Sequence, residues 1–554
     1  MVFQALLITL LATLCAGQFS TQTPYYPDNF GNPGGSGFLP AGPISPTYYF
    51  AVVVEYSADG HVNSATPSAI LANNSITYSA FIRHAKLQMP ESNIIVFPEH
   101  GLTTVDAQRS RHEVQLYSTQ IPSPQSKPNP CDNRMNNVLQ VLSCAAKQNS
   151  VHVVVNLPER DNCEGKGCPP DRICLFNTNV VFNRQGTIIA RYRRSSYFSE
   201  SQSACDVTKE DPTFHTDFNV TFGILNTHDI LHYKPAIDLM RKGVADFVYL
   251  GAWRSELPFL SAVQIQEGWA RGLEVNLLAA GYDDPVNGYG GSGIYPARSG
   301  GSTVAMMPHT RQSQFLSSYV QKQRNTRIGQ IQGGAVSASI SPDSSNYIPQ
   351  VEFKFLNDNL KPYKTQLLEK SNTSTRLCTS GLCCSFNISA KFPSNKENSM
   401  YYRMAVFNGT RKYQGKETIG LQVCSIISCN NSSLSSCGLS MNTGKDSALF
   451  EYISIQGEFY NRNSTFMPTT LLNTMLPLTL DAYEMKNQII SGRRACYLRT
   501  NGAIRNLQTF GIYSRLFDID GLPESSEPSG QDTTRQVTSF FGLVILCMLT
   551  YFVR

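Results

Sequence analysis

The sequence predicts an α/β domain followed by a smaller, β-rich, disulfide-containing domain. Strand-like and helix-like stretches alternate from Tyr48 to Ala280, the pattern of strand-helix-strand units. From about Arg327 the helical stretches thin out, and short β-type runs divided by cysteines and N-glycosylation sequons take over. With 554 residues the chain can hold two to four domains, each with its own core. A net charge of +5, with 16% charged residues and no long basic run, gives no reason to expect nucleic-acid binding.

Residues 1–17 read as a signal peptide, with an apolar core from Ala5 to Leu14 before the small residues Cys15, Ala16 and Gly17. Residues 18–46, rich in Pro, Gly, Ser and Tyr, read as a flexible lead-in. Tyr48 to Tyr56 is aromatic and β-branched and predicts a strand; Ile76 to Met89 has helical spacing. Asn93 to Glu99 (NIIVFPE) predicts a buried strand that ends in a carboxylate. A helix (Asn136 to Gln148), a strand (Val151 to Leu157) and a hairpin (Asn177 to Phe182 and Thr187 to Tyr192) follow. After a central turn come a strand (Ala245 to Trp253), a helix (Leu257 to Gly272) and a strand (Val275 to Ala280), giving an α/β domain over 47–326. In 327–520 the β-type runs are Gln350 to Leu356, Ser399 to Val406, Ile419 to Ile426 and Leu449 to Ile455.

The remaining C-terminal sequence reads as a stalk with a glycosylphosphatidylinositol (GPI) attachment region at 521–536 and a removed hydrophobic tail at 537–554. Small residues suited to attachment (Ser525, Ser526, Ser529, Gly530) precede a polar spacer and the apolar run Val537 to Val553. The rival is a tail-anchored or single-span protein, for which this run is short.

Fifteen cysteines fit an oxidising compartment. Without Cys15 in the signal and Cys547 in the tail, an odd number remains, so one thiol is either unpaired or paired between chains. Sequons at Asn73, Asn219, Asn372, Asn387, Asn408, Asn430, Asn431 and Asn463 place the chain outside the cell; adjacent Asn430 and Asn431 cannot both be used.

The chain is organised around Asn219 to Pro235 (NVTFGILNTHDILHYKP). Val220 to Leu225 is an apolar run suited to a strand buried on both faces, and it ends in Asn226-Thr227-His228-Asp229 before a helix from about Pro235. Such a turn lifts a side chain to the carboxyl edge of a sheet, where α/β sites are built. Glu99, straight after IIVFP, is the other candidate, since burial there would raise its pKa towards a base's range. Thr227, His228 and Asp229 do not make a nucleophile-base-orienter triad, because adjacent side chains point apart; turn hydrogen bonds suit His228 and Asp229 better.

These motifs resemble the vanin and biotinidase branch of the carbon-nitrogen hydrolase (nitrilase) superfamily. NIIVFPEHGL is similar to the vanin motif IIVFPEDGI, FNTNVVF at Phe176 to Phe182 matches the same branch, and the long stretch from Val244 to Gly281 resembles its substrate-side segment. The resemblance implies a four-layer αββα sandwich for the first domain. It also implies a cysteine nucleophile, a glutamate base and a lysine. It places the base on Glu99, the cysteine (FGIFTCFDIL in vanins) on Thr227, and the lysine (RYRKHNL in vanins) on Arg194. Two of three positions therefore depart from the family. A threonine hydroxyl is far less acidic than a thiol, and arginine keeps the charge but cannot give up a proton as lysine can.

The expectation is an extracellular, GPI-anchored, vanin-like member with lost or reduced amidohydrolase activity. Around Glu99, Arg194, Thr227 and Trp253 it would retain a pocket for a small amide, pantetheine-like or biotinyl. The alternatives are an amidohydrolase working by an altered mechanism and a secreted form without an anchor. No metal or organic cofactor is implied; the membrane partner would be reached through the lipid anchor.

Overall fold

The computed structural model describes residues 39–58, 66–104, 110–133, 137–194, 205, 211–297, 304–307, 311–323, 353–395, 397–413, 417–439, 444–461, 463–490 and 492–525. The expected signal peptide at 1–17, most of the expected lead-in, the attachment candidates Ser526, Ser529 and Gly530, and the expected tail at 537–554 lie outside the described residues.

The first sheet contains β1 (Tyr48–Glu55), β2 (Ile94–Val96), β3 (His152–Asn162), β4 (Ile173–Phe182) and β5 (Ile188–Arg194), with a later strand, Gln314–Gln321, on the outer edge of β1. β1, β2 and β3 run parallel, and β3, β4 and β5 are antiparallel. The second sheet contains β6 (Thr213–His215), β7 (Thr221–Asn226), β8 (Asp246–Gly251), β10 (Asn276–Gly281), β11 (Ser292–Tyr295) and β12 (Val304–Met306), with β7, β8 and β10 parallel. Strand β9 (Glu256–Leu257) pairs outside both sheets with β14 (Leu356–Asn357); the edge strand Gln314–Gln321 is β13.

Period-two burial explains the layering. On β1, Phe50, Val52 and Val54 join a core with Tyr78 and Ile82 of helix α1 (Pro67–Gln88) and Leu139 and Leu142 of helix α3 (Val138–Gln148). Its alternate residues Tyr49, Ala51 and Val53 face the second sheet, meeting Phe222, Ile224, Val248, Leu250 and Leu278. Leu239 of α4 (Ala236–Arg241) and Val263 of α5 (Ala262–Leu273) cover the far side of the second sheet. The order is helix, sheet, sheet, helix, the expected αββα sandwich.

Helix starts follow their caps. Thr66 with Pro67 begins α1 nine residues before the predicted Ile76, and Ser110 with Glu113 forms a capping box on α2 (Arg111–Tyr117), a helix absent from the sequence reading. The helix expected from Leu257 starts at Ala262, because Pro258 interrupts the first residues and Ser261 supplies the cap. The strand expected over Asn93 to Glu99 is limited to Ile94–Val96, and the run expected from Gln350 is a strand only at Leu356–Asn357; 350–352 lie outside the described residues.

The C-terminal part is a β-rich sandwich of two five-stranded antiparallel sheets. One holds β15 (Lys364–Leu367), β18 (Tyr401–Tyr413), β19 (Glu417–Cys429), β24 (Leu507–Leu516) and β21 (Ser464–Leu472) in that order. The other holds β16 (Asn372–Thr379), β17 (Leu382–Lys391), β20 (Leu449–Tyr460), β23 (Arg493–Thr500) and β22 (Tyr483–Ile490). Cys384–Cys424 ties one sheet to the other through the apolar core, and Cys378–Cys383 and Cys429–Cys437 close short loops. In the α/β part the bridges are Cys131–Cys144, Cys163–Cys168 and Cys174–Cys205. Cys496 is the free thiol among the described residues, buried, and burial pushes it up to about 12.

Helix α5 joins the two parts. Gly268 and Gly272, one turn apart, let the backbone of β21 approach so closely that a β-carbon at Gly272 would stand 2.1 Å from the Phe466 carbonyl oxygen. Arg515 of β24, fully buried, donates from Nε to the carbonyl of Leu231 at 2.9 Å, and its Nη2 pairs with Asp520 at 2.8 Å.

Candidate functional site

The site lies at one edge of the facing sheets, where several strands end. Glu99 follows β2, Arg194 closes β5, Thr227 follows β7 and Ala252 follows β8. Each strand is fixed by its buried neighbours, so their ends converge without any sequence proximity.

Glu99 is buried and binds Thr227 twice through one carboxylate oxygen, Oε2. That oxygen accepts the Thr227 backbone N–H at 3.0 Å and also the Thr227 hydroxyl. Oε1 accepts the amide of Asn177, and His100 Nε2 stands 3.5 Å from it. The threonine oxygen itself accepts the Ala252 N–H at 2.6 Å, and Tyr249 donates to the Thr227 carbonyl at 3.0 Å. Thr227, 3% exposed, is thus held at every polar atom.

A buried row of asparagines supports this pair. The Asn156 amide donates to the side-chain oxygens of Asn177 at 2.6 Å and Asn179 at 2.8 Å, and the Asn179 amide donates to Asn226, the residue before Thr227. Asn177 and Asn179 sit two apart on β4 and so share a face. The FNTNVVF motif carries that signal: two asparagines spaced by two on a strand.

The charges set the protonation states. Burial pushes the Glu99 carboxyl up, but His100, the Thr227 hydroxyl, Arg194 and the Thr227 N–H together outweigh it and hold it below the usual carboxylate range. The expectation of a raised base is therefore corrected: the site is dry, as foreseen, but supplies more donors to the anion than dryness costs it. Arg194 Nε pairs with Asp229 at 3.1 Å; burial lowers its pKa, and Asp229 and Glu99 more than restore it, so it stays a cation. Asp229 also accepts the Asn226 N–H at 2.7 Å and the Tyr192 hydroxyl at 3.3 Å. This is the turn hydrogen bonding expected of Asp229. Burial and Arg194 push His228 down to about 4, leaving a neutral ring.

The structure brings Glu99, Arg194 and Thr227 into one cluster. Trp253 stands at its side: it is 2% exposed, donates its indole N–H to the Leu260 carbonyl at 2.8 Å, and has ring centroids 5.2 Å from Tyr413 and 6.4 Å from His228. Tyr413 ends β18 and Glu417 begins β19, so the β-sandwich contributes directly here; Glu417 pairs with His232 at 3.0 Å. Sequence reasoning missed both, because their partners lie 160 to 185 residues upstream.

With this geometry in view, comparison with known proteins identifies the group. The sequence model described as Carbon-nitrogen hydrolase matches residues 63–262, and the Vanin C-terminal domain matches residues 353–520. Vanin-like protein 2 of Drosophila melanogaster is 32% identical over 503 residues, covering 85% of this chain and 90% of its own. The chain belongs to the vanin-like carbon-nitrogen hydrolase family. Within that family, a Homo sapiens pantetheinase is 29% identical, covering 83% of this chain and 86% of its own, and a Takifugu rubripes biotinidase is 28% identical, with 79% and 88% covered.

The three cysteines Cys163, Cys174 and Cys205, which lie near one another, do not form a metal site in this vanin-like chain, because all three are engaged in disulfides.

Proposed function

We propose that this vanin-like protein is an extracellular, GPI-anchored family member that has lost or greatly reduced amide hydrolysis while keeping a site that binds a small amide. The observation that carries the reading is the bonding of Thr227. Its hydroxyl already lies on Glu99, so the nucleophile-to-base contact exists, yet the chemistry opposes transfer. An alcohol is far less acidic than a thiol, and Glu99 is held below the ordinary carboxylate range and so is a poor proton acceptor. Arg194 can stabilise an oxyanion but cannot donate its proton. The same hydroxyl contact favours the second reading, an amidohydrolase with threonine as nucleophile and Glu99 as base.

Pantetheine-type and biotinyl amides are the ligands proposed, from the activities named for the relatives. Among the described residues no helix is long and apolar enough to cross a membrane. The sequons fit the extracellular reading: Asn73, Asn219, Asn372, Asn387, Asn431 and Asn463 are exposed, and Asn408 and Asn430 are half-buried. Ser525 hydrogen-bonds Thr410 through its backbone and side chain, which makes the residues beyond it the better attachment points.

Thermal unfolding with a panel of such amides tests the binding claim. A ligand that prefers the folded state raises the midpoint. A concentration-dependent rise that is lost in Glu99→Ala, with the amide recovered intact, is expected; no rise with any member of the panel overturns binding.

A further inference from the structure

The four cysteines where β3 ends and β4 begins stand closer together than two independent bridges require. Cys163 follows β3, Cys174 is the second residue of β4, and Cys205 returns to it from beyond β5. The sulfurs of Cys163, Cys174 and Cys205 all lie within 4.8 Å of one another, although Cys163 is bonded to Cys168 and Cys174 to Cys205. The strand pairing brings them there: Asn162 lies opposite Ile173, and the Cys163 N–H donates to the Arg172 carbonyl at 2.9 Å, so the two strands still run side by side at this level. Phe176 packs against the same group. Bridges whose sulfurs are in reach of one another can trade partners, because a thiolate attacks a disulfide sulfur and displaces its partner.

One sulfur of the four is open to solvent. Cys163, Cys174 and Cys205 are buried, whereas Cys168 is half-buried at the end of the exposed loop Glu164-Gly165-Lys166-Gly167. Lys166 lies in that loop, and Arg172 Nη1 donates to the Gly165 carbonyl at 2.9 Å, so two cations against the one carboxylate of Glu164 favour the approach of a thiolate. Cys378–Cys383 closes a loop of the same length in the sandwich, with Cys378 exposed, but no such group of sulfurs forms around it among the described residues.

The inner bridge holds part of the candidate site. Cys174–Cys205 spans the rest of β4, with Asn177 and Asn179, and all of β5, with Arg194 at its end. Cys205 is the first described residue after Arg194, so this bridge is the covalent return of the chain from the end of β5 to the start of β4.

We propose that these four cysteines form a thiol-disulfide exchange site, which takes a low-molecular-weight thiol at Cys168 and passes the exchange inward to Cys174–Cys205. The incoming thiolate bonds to Cys168 Sγ and breaks the bond to Cys163, which leaves as a thiolate. Cys163 Sγ then bonds to Cys174 Sγ, the Cys174–Cys205 bond breaks, and Cys205 leaves as a thiolate that takes up the proton the incoming thiol gave up. Two disulfides stand before and after, and one thiol enters while one appears at Cys205, so no oxidant or reductant is consumed. The end of β5, which carries Arg194, loses its tether to β4. The effect on amide binding rests on the pocket proposed above; the exchange does not.

The test treats the full chain with reduced glutathione, stops the reaction with acid, alkylates free thiols and maps the bridges by mass spectrometry of unreduced peptides. Glutathione on Cys168, a Cys163–Cys174 cross-link and an alkylated Cys205 are expected. Cys163→Ser with Cys168→Ser should slow the opening of Cys174–Cys205 by about tenfold or more, with Cys378–Cys383 opening at its unchanged rate. Alkylated Cys163 and Cys168 beside an intact Cys174–Cys205 in the natural chain overturns the relay, whether or not the double variant folds. Opening of Cys174–Cys205 in a folded double variant at the natural rate overturns it as well. With an amide that raises the unfolding midpoint of the natural chain, the exchanged form should show less than half that rise. A full rise overturns the link to the site and leaves the exchange standing, whereas no rise with the natural chain falls on the pocket reading alone.

Discussion

The two parts of the molecule handle buried polarity in opposite ways. Between and beside the α/β sheets, Glu55, Glu99, Asn156, Glu159, Asn177, Asn179, Asn226 and Asp229 are all buried, each tied to a partner. Inside the sandwich the core is a continuous apolar cluster crossed by the Cys384–Cys424 bridge. A dry polar network is expensive to hold in place and is kept where something must be positioned; an apolar core with a disulfide simply holds. The sandwich becomes polar where it meets the other part, through Arg411, Arg515, Tyr413 and Glu417, and there it braces the turn that carries Thr227.

The sharpest way to break that division is at the junction. Arg411 sits between Glu256 and Asp358, at 2.6 Å from each, and all three side chains are nearly inaccessible. Arg411→Ala leaves two carboxylates buried without their cation, and a loss of about 3–5 kcal/mol in denaturant unfolding is expected. Gly272→Ala attacks the same seam by overpacking, since its β-carbon would collide with the backbone of β21; a loss of about 1–3 kcal/mol is expected. A loss near zero in both would mean that the sandwich is a passenger.

Acidity sharpens the comparison next. Burial raises the pKa of Glu267 to about 7, against the offset of Arg271 and Tyr483, at the contact of α5 with the sandwich. Its folded value lies above its unfolded value, so its contribution is fully present below about pH 4.5 and is lost as pH rises towards 7. Glu99 and Glu417 have the opposite sign: both are lowered, Glu417 to about 2 chiefly by its hydrogen bond from His232, and their contributions fade as pH falls below about 4.5. Unfolding midpoints should fall between about pH 5 and 7, and Glu267→Gln should flatten that fall. The smallest effect expected is at a surface cap: Ser110→Ala frees the first turn of α2 and should cost about 1 kcal/mol, with no change at the site.

How much was legible in the sequence follows the same division. The buried strands around IIVFP and Val220 to Leu225 declared themselves through unbroken apolar runs, Glu99 followed from its place at a strand end, and Arg194 and Thr227 followed from the resemblance to vanin motifs. Three kinds of feature were hidden. Long-range partners such as Leu231 with Arg515, or His232 with Glu417, carry no local pattern. Disulfide pairing is likewise set by the folded chain, since the thirteen cysteines between Cys15 and Cys547 permit many connectivities. The charge state of Glu99 depends on a sum of donors that no linear spacing reveals; burial alone suggested a raised carboxyl, and the folded site reverses the sign.

The proposed loss of hydrolysis rests on two substituted positions, Thr227 and Arg194, in an otherwise intact scaffold. The most direct test is hydrolysis of a pantetheine-type amide by the natural chain, Thr227→Cys, and Thr227→Cys with Arg194→Lys, each beside its Glu99→Ala counterpart. Turnover at background is expected for the natural chain, and Glu99-dependent turnover once cysteine and lysine are restored. Hydrolysis by the natural chain that disappears with Glu99→Ala would contradict it and make Thr227 a working nucleophile.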